Sequence, residues 1–266
     1  MPKAKLNGVT LYYEVYGSGE PLLLIAGLGS DSSSWLGVVK DFSAHFQTVI
    51  FDNRASGRSD IITGRCTIGQ MANDAVKLLD FLKIKQAHTI GHSMGGYIAQ
   101  EIAINYPERL NKLILVSTAA ISSPRNNMLF ADFLKQLQER VDLKAWMKQW
   151  AFWLFTPQCF SNTAFINAFI KNAAEYPYCA KPQGFKVQIE AIASFDACKR
   201  TGKIKAKTLV LEGEKDILIV PQEAKALAKN IPRSSFRLLK NTAHCIHIEN
   251  PKLFAKVALE FIRLKK

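Results

Sequence analysis

Residues 87–106 read AHTIGHSMGGYIAQEIAINY and combine an apolar run, a glycine-rich turn and a helical pattern. Residues 87–90 predict a buried strand and residues 97–106 a helix. Between them, GHSMGG at 91–96 is typical of a strained strand-to-helix turn, whose glycines let neighbouring backbone pass without a Cβ clash. Such a turn places Ser93 at the carboxyl end of a strand as a nucleophile; a purely structural turn is the alternative.

The segments around this turn alternate between buried strands and amphipathic helices. Further apolar runs typical of strands buried on both faces fall at 22–25, 48–51, 113–116 and 208–211, and a last strand at 235–239. Helical spacing marks 68–82, 222–230 and 251–264. Near the start, Asn7-Gly8 predicts a hairpin, because both turn positions need positive φ. This order predicts an α/β fold with a doubly wound, mostly parallel sheet.

The alternation stops between residues 122 and 195, where helical patterns occur without a convincing strand. We expect an all-helical insertion there. Trp146, Trp150 and Trp153 follow an i, i+4, i+7 spacing and therefore share one helix face. That face either packs on the main domain or lines a substrate pocket, and both can be true.

A serine at its ordinary pKa is a weak nucleophile, so it needs a base and a third group that orients the base. Asp216 follows the strand at 208–211, and His244 follows the last strand. The carboxyl ends of strands are where open α/β sheets place their sites. We therefore predict Asp216 as the acid and His244 as the base, with Glu214 as the alternative acid. For His92, the pattern favours a histidine packed inside the turn over a general base.

Four motifs in this order resemble those of the α/β-hydrolase family along essentially the whole chain. They are the turn at 91–96, the acid turn GEKD at 213–216, the histidine loop HCIHIENP at 244–251, and DNRASGRSD at 52–60. The resemblance implies an eight-stranded sheet flanked by helices, a core domain of residues 1–121 and 196–266, and a helical cap at 122–195.

The same resemblance implies an oxyanion hole formed by the backbone N–H groups of Leu28 and Met94, and a reaction that needs no cofactor. Ala26 stands where the family usually has a histidine that helps hold the Leu28 loop, and Ala55 replaces a frequent glycine. Both replacements raise the question of what supports these loops.

With AGLGSDSSSW at 26–35 and EAIASFD at 190–196, the layout is similar, within the family, to bacterial 3-oxoadipate enol-lactonases and carboxylesterases. It implies cleavage of a small-molecule ester or lactone through an acyl-enzyme on Ser93, and the aromatic insertion favours a hydrophobic substrate. A small dicarboxylate would need a cationic contact that the sequence does not identify. Two alternatives stay open: an esterase of methyl esters linked to an acidic carrier protein, and a weakly catalytic ligand-binding or signalling protein.

Composition narrows the class of protein further. The net charge is +13, but the basic residues are scattered, and the nearest basic stretch is the short tail 263–266, so nucleic acid is not an expected partner. The uncharged stretch 149–170 carries too many polar groups for a membrane span. Five cysteines without a CxxC pair favour reduced thiols and no metal site, and residues 1–6 contain no apolar leader segment, so we expect a cytoplasmic protein.

Overall fold

The computed structural model describes residues 2–264; Met1, Lys265 and Lys266, which belong to the two terminal segments considered above, lie outside the described residues. Its strands are β1 Lys3–Leu6, β2 Val9–Tyr16, β3 Glu20–Ile25, β4 Phe46–Phe51, β5 Ala87–His92, β6 Leu110–Val116, β7 Lys207–Gly213 and β8 Ser234–Leu239. They form one eight-stranded sheet in the order β1-β2-β4-β3-β5-β6-β7-β8. From β4 to β8 every neighbouring pair is parallel, which confirms the predicted architecture.

The sheet begins with the predicted hairpin. Strands β1 and β2 pair antiparallel around a turn in which Asn7 and Gly8 have φ of 49° and 76°. Strand β2 then pairs antiparallel with β4, so the two antiparallel pairs lie together at one edge. The remaining strands all present their carboxyl ends on one side of the molecule, and that side holds the candidate site.

The helices are α1 Leu36–Ser43, α2 Ile68–Phe81, α3 Met94–Asn105, α4 Pro124–Gln138, α5 Leu143–Leu154, α6 Pro157–Ser161, α7 Thr163–Glu175, α8 Pro182–Ala193, α9 Pro221–Asn230, α10 Ile246–Glu249 and α11 Pro251–Arg263. Helix α3 begins three residues earlier than the side-chain pattern indicated, because Gly95 and Gly96 add no apolar side chains to its first turn. Helix α1 was not predicted; it has only eight residues, too few for a clear repeat.

Apolar layers cover both faces of the sheet. In β3, Leu22 and Leu24 point into the layer beneath α1 and α11, whereas Leu23 and Ile25 point into the layer that contains α2 and α3. This period-2 alternation explains the uninterrupted apolar run of a strand buried on both sides. Each of these side chains is fully buried, and such burial stabilises the fold by about 1.5–3 kcal/mol per side chain.

The chain between β6 and β7 is helical: it forms α4 to α8, and none of the named strands falls within it. Aromatic contacts join these helices, above all the stacking of Trp150 on Phe133 at a centroid distance of 4.1 Å. A single bridge between Ile121 and Asp196 closes the base of the segment. No helix among residues 2–264 has the length and apolarity needed to cross a bilayer.

Candidate active site

Ser93 lies between β5 and α3 with φ of 54° and ψ of −118°, a conformation that costs a non-glycine residue about 1–3 kcal/mol. Backbone hydrogen bonds hold it there. The Ser93 N–H donates to the carbonyl of Val116 at 2.9 Å, and its own carbonyl accepts from Gly96 N–H and from Thr118 Oγ1. The structure thus places this serine on strained, over-determined backbone, as a nucleophile elbow requires.

The glycines of the turn are needed for close approach of backbone. A Cβ at Gly91 would meet the carbonyl of Gly95, and a Cβ at Gly95 would meet the carbonyl of Ile25 on β3. No side chain can yield at either place, because the obstructing atoms are backbone. This is the physical reason for the two glycines that flank the serine.

Asp216 and His244 come together beyond the ends of β7 and β8. The His244 Nδ1 lies 2.8 Å from Asp216 Oδ2, and the two side chains are almost completely buried. Asp216 is fixed in turn through its other oxygen, which accepts the N–H groups of Leu218 and Ile219 at 2.8 and 2.9 Å. Donation from Nδ1 leaves Nε2 as the nitrogen that can accept a proton.

Glu214, the alternative acid, does not approach His244. Its side chain is exposed and accepts the N–H of Asn241 at 3.1 Å. The sequence interpretation overlooked a different carboxyl group, Glu212, which is fully buried beside Asp216. Burial first, and then the charge of Asp216, raise the pKa of Glu212 well above its usual range. The fold therefore favours the protonated form of Glu212 beside Asp216.

Two further histidines, His92 and His247, lie close to His244. The His92 and His244 rings are 4.9 Å apart, and the His92 and His247 rings are 4.6 Å apart. Burial lowers the pKa of His92 well below its usual value and that of His247 to about 3. His92 Nε2 lies 3.0 Å from the carbonyl of His244, so this histidine holds the His244 backbone as a neutral ring. His92 is thus a packed histidine, which is the role that the sequence pattern favoured.

The loop that carries Leu28 is supported by two amides. Asn53 donates to the carbonyl of Ala26 at 3.1 Å, and Gly29 N–H donates to Gln188 Oε1 at 2.9 Å. Gln188 lies on α8, is fully buried, and also donates to the carbonyl of Arg54. These contacts support the Leu28 loop, although Ala26 replaces the histidine that usually helps hold it. No sequence pattern indicated Gln188, which is 159 positions from Gly29.

Met94, the other predicted oxyanion donor, is the first residue of α3. The first four N–H groups of an α-helix have no acceptor within the helix, so the Met94 N–H is available to a ligand. Leu28 lines the same cavity as Ser93. One predicted donor thus begins the helix that follows the serine, and the other lies in the loop after β3, which lines the same cavity.

Ala55, where the family often has glycine, has φ of 66° and is buried. An L-residue in this left-handed conformation costs roughly 1–2 kcal/mol relative to the right-handed one. Nearby, Asp52 accepts the N–H of Ser32 and the guanidinium of Arg58, both at 2.9 Å. The loop is therefore held by ion pairing despite the strain at Ala55.

A cavity of about 700 Å³ contains Ser93 and His244 in its wall. Most of the remaining wall is apolar, and its aromatic part consists chiefly of Phe130, Trp146, Trp150, Phe165, Phe169 and Phe185. Trp146 and Trp150 both line the cavity, which is one of the two roles considered for this helix face. Their rings contact Phe133 and Phe185, which lie in the insertion itself. Trp153 is not part of the wall: it lies in the last turn of α5, where its ring faces Arg125 at 5.9 Å.

Glu249 links the helical segment to the loop of His244. Its carboxylate accepts the N–H of Ala243 at 2.8 Å and the N–H of Thr156 at 3.2 Å. The Cys245 N–H also donates to the carbonyl of Leu154, at the end of α5. The position of α5 and α6 is thereby tied to the residues on either side of His244. Within residues 2–264, no group of three His, Cys, Asp or Glu side chains is placed to hold a metal ion.

The chain belongs to the alpha/beta hydrolase fold family, whose sequence model matches residues 20–251. It is 28% identical over 262 residues to the Azorhizobium caulinodans protein named "Putative carbamate hydrolase RutD", with 98% of each chain covered. It is similar in structure to an enol-lactonase from Burkholderia xenovorans LB400, with 27% identity, a TM-score of 0.88, and 98% and 99% of the two chains covered. A thermophilic esterase from Thermogutta terrifontis gives 27% identity, a TM-score of 0.85, and 96% and 93% coverage. Together these relatives identify the chain as a hydrolase.

Proposed function

We propose that this protein is a serine hydrolase that cleaves a carboxylic ester or lactone of a small hydrophobic molecule through an acyl-enzyme on Ser93. The observation that carries the proposal is the presence of Ser93 and the Asp216-bound His244 in the wall of one largely apolar cavity. Nucleophile, base and orienting acid are the three groups that acyl transfer requires.

In the first half of the proposed reaction, Ser93 Oγ attacks the substrate carbonyl while His244 Nε2 takes the hydroxyl proton. The carbonyl oxygen becomes an oxyanion that accepts hydrogen bonds from the backbone N–H groups of Leu28 and Met94. His244 then returns the proton to the leaving oxygen, the C–O bond breaks and the acyl group stays on Ser93. Asp216 holds the ring orientation and stabilises the imidazolium that forms.

In the second half, water repeats the attack on the acyl-enzyme, with His244 again taking and returning the proton. The free acid leaves and Ser93 regains its hydrogen. The two oxyanion donors are each expected to contribute roughly two to three orders of magnitude in rate, as such donors typically do.

We further propose that residues 122–195 act as a cap over a core formed by residues 1–121 and 196–266. Trp146, Trp150 and Phe185 of this segment form part of the cavity wall. At about 700 Å³ the cavity falls within the range typical of sites for drug-sized ligands. Its size and aromatic wall favour a substrate with a sizeable apolar group over a minimal polar one.

A series of p-nitrophenyl esters from acetate to octanoate, with p-nitrophenyl carbamates in parallel, tests the proposal. We expect turnover to reach a maximum at an acyl chain longer than acetate and to disappear in Ser93→Ala, with the circular dichroism spectrum unchanged. Faster turnover of the carbamates would instead assign this chain the activity in its relative's name. Equal turnover by wild type and Ser93→Ala would contradict the mechanism.

A further inference from the structure

The charge distribution of the cavity differs from that of the whole chain. The sequence contains 35 Lys and Arg residues and has a net charge of +13. Among residues 2–264, none of these cations lines the cavity, and Asp31 is the one Asp or Glu in its wall. A substrate in this cavity therefore meets a carboxyl group and no lysine or arginine.

Asp31 is held in place by its neighbours. Its side chain is almost completely buried and accepts the N–H of Ser33 at 2.8 Å, and it also bonds with the hydroxyl of Tyr176. Tyr176 lies at the end of α7 and lines the same cavity. A carboxylate has about four lone-pair sites, and the Ser33 N–H, the Ser33 hydroxyl and the Tyr176 hydroxyl use three of them, so one stays open to a ligand.

The charged groups around Asp31 leave an excess of negative charge. Arg58 interacts electrostatically with Asp31, but its guanidinium already pairs with Asp52 at 2.9 Å and with Glu14 at 3.4 Å. Burial, followed by the charge of Asp52, raises the pKa of Asp31 above its usual value. Three carboxyl groups thus face one guanidinium, and a carboxylate on a substrate would find no compensation there.

Asp31 is also close to the reaction centre along the chain. It lies three residues beyond Leu28, so the two Cα atoms are at most about 10 Å apart, the reach of three extended residues. The turn between Gly27 and Ser30, closed by a 3.3 Å hydrogen bond, shortens this distance. A group five or six bonds from the scissile carbonyl can therefore contact Asp31.

We propose that Asp31 selects the substrate by its polar terminus: the cavity accepts a chain that ends in a hydroxyl or ammonium donor and rejects one that ends in a carboxylate. This inference rests on the proposed hydrolase function and narrows its substrate class. It separates the chain from lactonases whose substrates are dicarboxylic acid derivatives.

The test compares four p-nitrophenyl esters of equal chain length at pH 8: hexanoate, 6-hydroxyhexanoate, 6-aminohexanoate and the adipate monoester. Hydrogen bonds to charged groups are worth about 1.5–3 kcal/mol, so we expect kcat/KM of the amino ester to exceed that of the adipate ester by at least about tenfold. The hydroxy ester distinguishes hydrogen bonding from charge attraction, because it donates without a charge.

In Asp31→Asn the ratio of kcat/KM for the amino ester to that for the adipate ester should fall at least about tenfold. The Asn side chain can still accept the Ser33 N–H, so the variant keeps this hydrogen bond. Asp41→Asn, which removes one exposed carboxylate elsewhere, is the matched control and should keep the wild-type ratio. An unchanged ratio in Asp31→Asn would overturn the proposal.

A binding measurement separates this inference from the hydrolase proposal. Trp146 and Trp150 line the cavity, so quenching of tryptophan fluorescence reports occupancy by hexylammonium or by hexanoate. If no ester is turned over, the proposed function fails; tighter binding of hexylammonium that is lost in Asp31→Asn would still support charge selection. Equal binding of the two ions by wild type would refute it.

Discussion

Replacement of Glu212 by Gln should stabilise the folded protein increasingly as the pH rises. Glu212 is fully buried beside Asp216, and burial raises its pKa in the folded chain well above the ordinary 4.5. Below pH 4.5 the carboxyl group is protonated in both the folded and the unfolded chain. Above that pH the unfolded chain releases the proton while the folded chain retains it, so wild type loses stability as the pH rises.

The size of this effect follows from the linkage of protons to folding. One proton retained by the folded state changes the free energy of unfolding by about 1.4 kcal/mol for each pH unit. Gln cannot ionise and its amide can still donate to Asp216. The stability of Glu212→Gln relative to wild type should therefore rise by about 1.4 kcal/mol per unit from about pH 5 until the folded pKa of Glu212 is reached.

Urea unfolding followed by tryptophan fluorescence between pH 5 and pH 8 measures this difference. Glu214→Gln is the matched control: it makes the same chemical change two residues further along the chain, at an exposed carboxylate, and its difference from wild type should vary little with pH. A Glu212→Gln difference that stays flat or falls with pH would show that Glu212 is ionised in the folded protein and would refute the reasoning.

Three further predictions concern the orienting acid and the loops. Asp216→Asn should lower kcat by roughly three to four orders of magnitude because His244 loses the partner that fixes its tautomer, as measured on the best p-nitrophenyl ester. Gln188→Leu should lower the free energy of unfolding by about 1–3 kcal/mol in urea, since it leaves the half-buried Gly29 N–H without its acceptor. Ala55→Gly should leave this free energy unchanged or raise it by up to about 1 kcal/mol, because relief of the strained φ exceeds or equals the entropy that glycine loses.

A different result would contradict each of these three predictions. Normal turnover by Asp216→Asn would move the orienting role to another carboxyl group. Wild-type stability of Gln188→Leu would show that water or another group satisfies Gly29. If Ala55→Gly lowered the free energy of unfolding by more than about 1 kcal/mol, packing of the Ala55 methyl group would stabilise the fold by more than its strained φ destabilises it.

Much of the fold was predictable because short, local sequence patterns determine it. Uninterrupted apolar runs such as 22–25 indicated strands buried on both faces, and Asn7-Gly8 indicated the hairpin. The strand-to-helix turn at Ser93 and the positions of Asp216 and His244 after strands placed three chemically suited groups at one edge of the sheet. These features depend on short stretches of chain and on a general rule of topology.

The parts that escaped prediction depend on contacts between distant segments. Gln188 supports the loop residue Gly29 from helix α8, and Glu212 matters only because the fold buries it against Asp216. Helical spacing placed Trp153 on the face of Trp150, but spacing alone does not tell where the cavity ends. No sequence pattern assigned a role to Asp31, and the role proposed for it rests on the absence of cations in the described cavity wall.

Covalent labelling by a fluorophosphonate tests the central claim most directly, since the reagent reacts with an activated serine in the position of a carbonyl substrate. Intact mass followed by peptide mapping should show one adduct, on Ser93, and labelling should be lost in His244→Ala although the serine is still present. Labelling of another residue, or a rate unchanged in His244→Ala, would contradict the account.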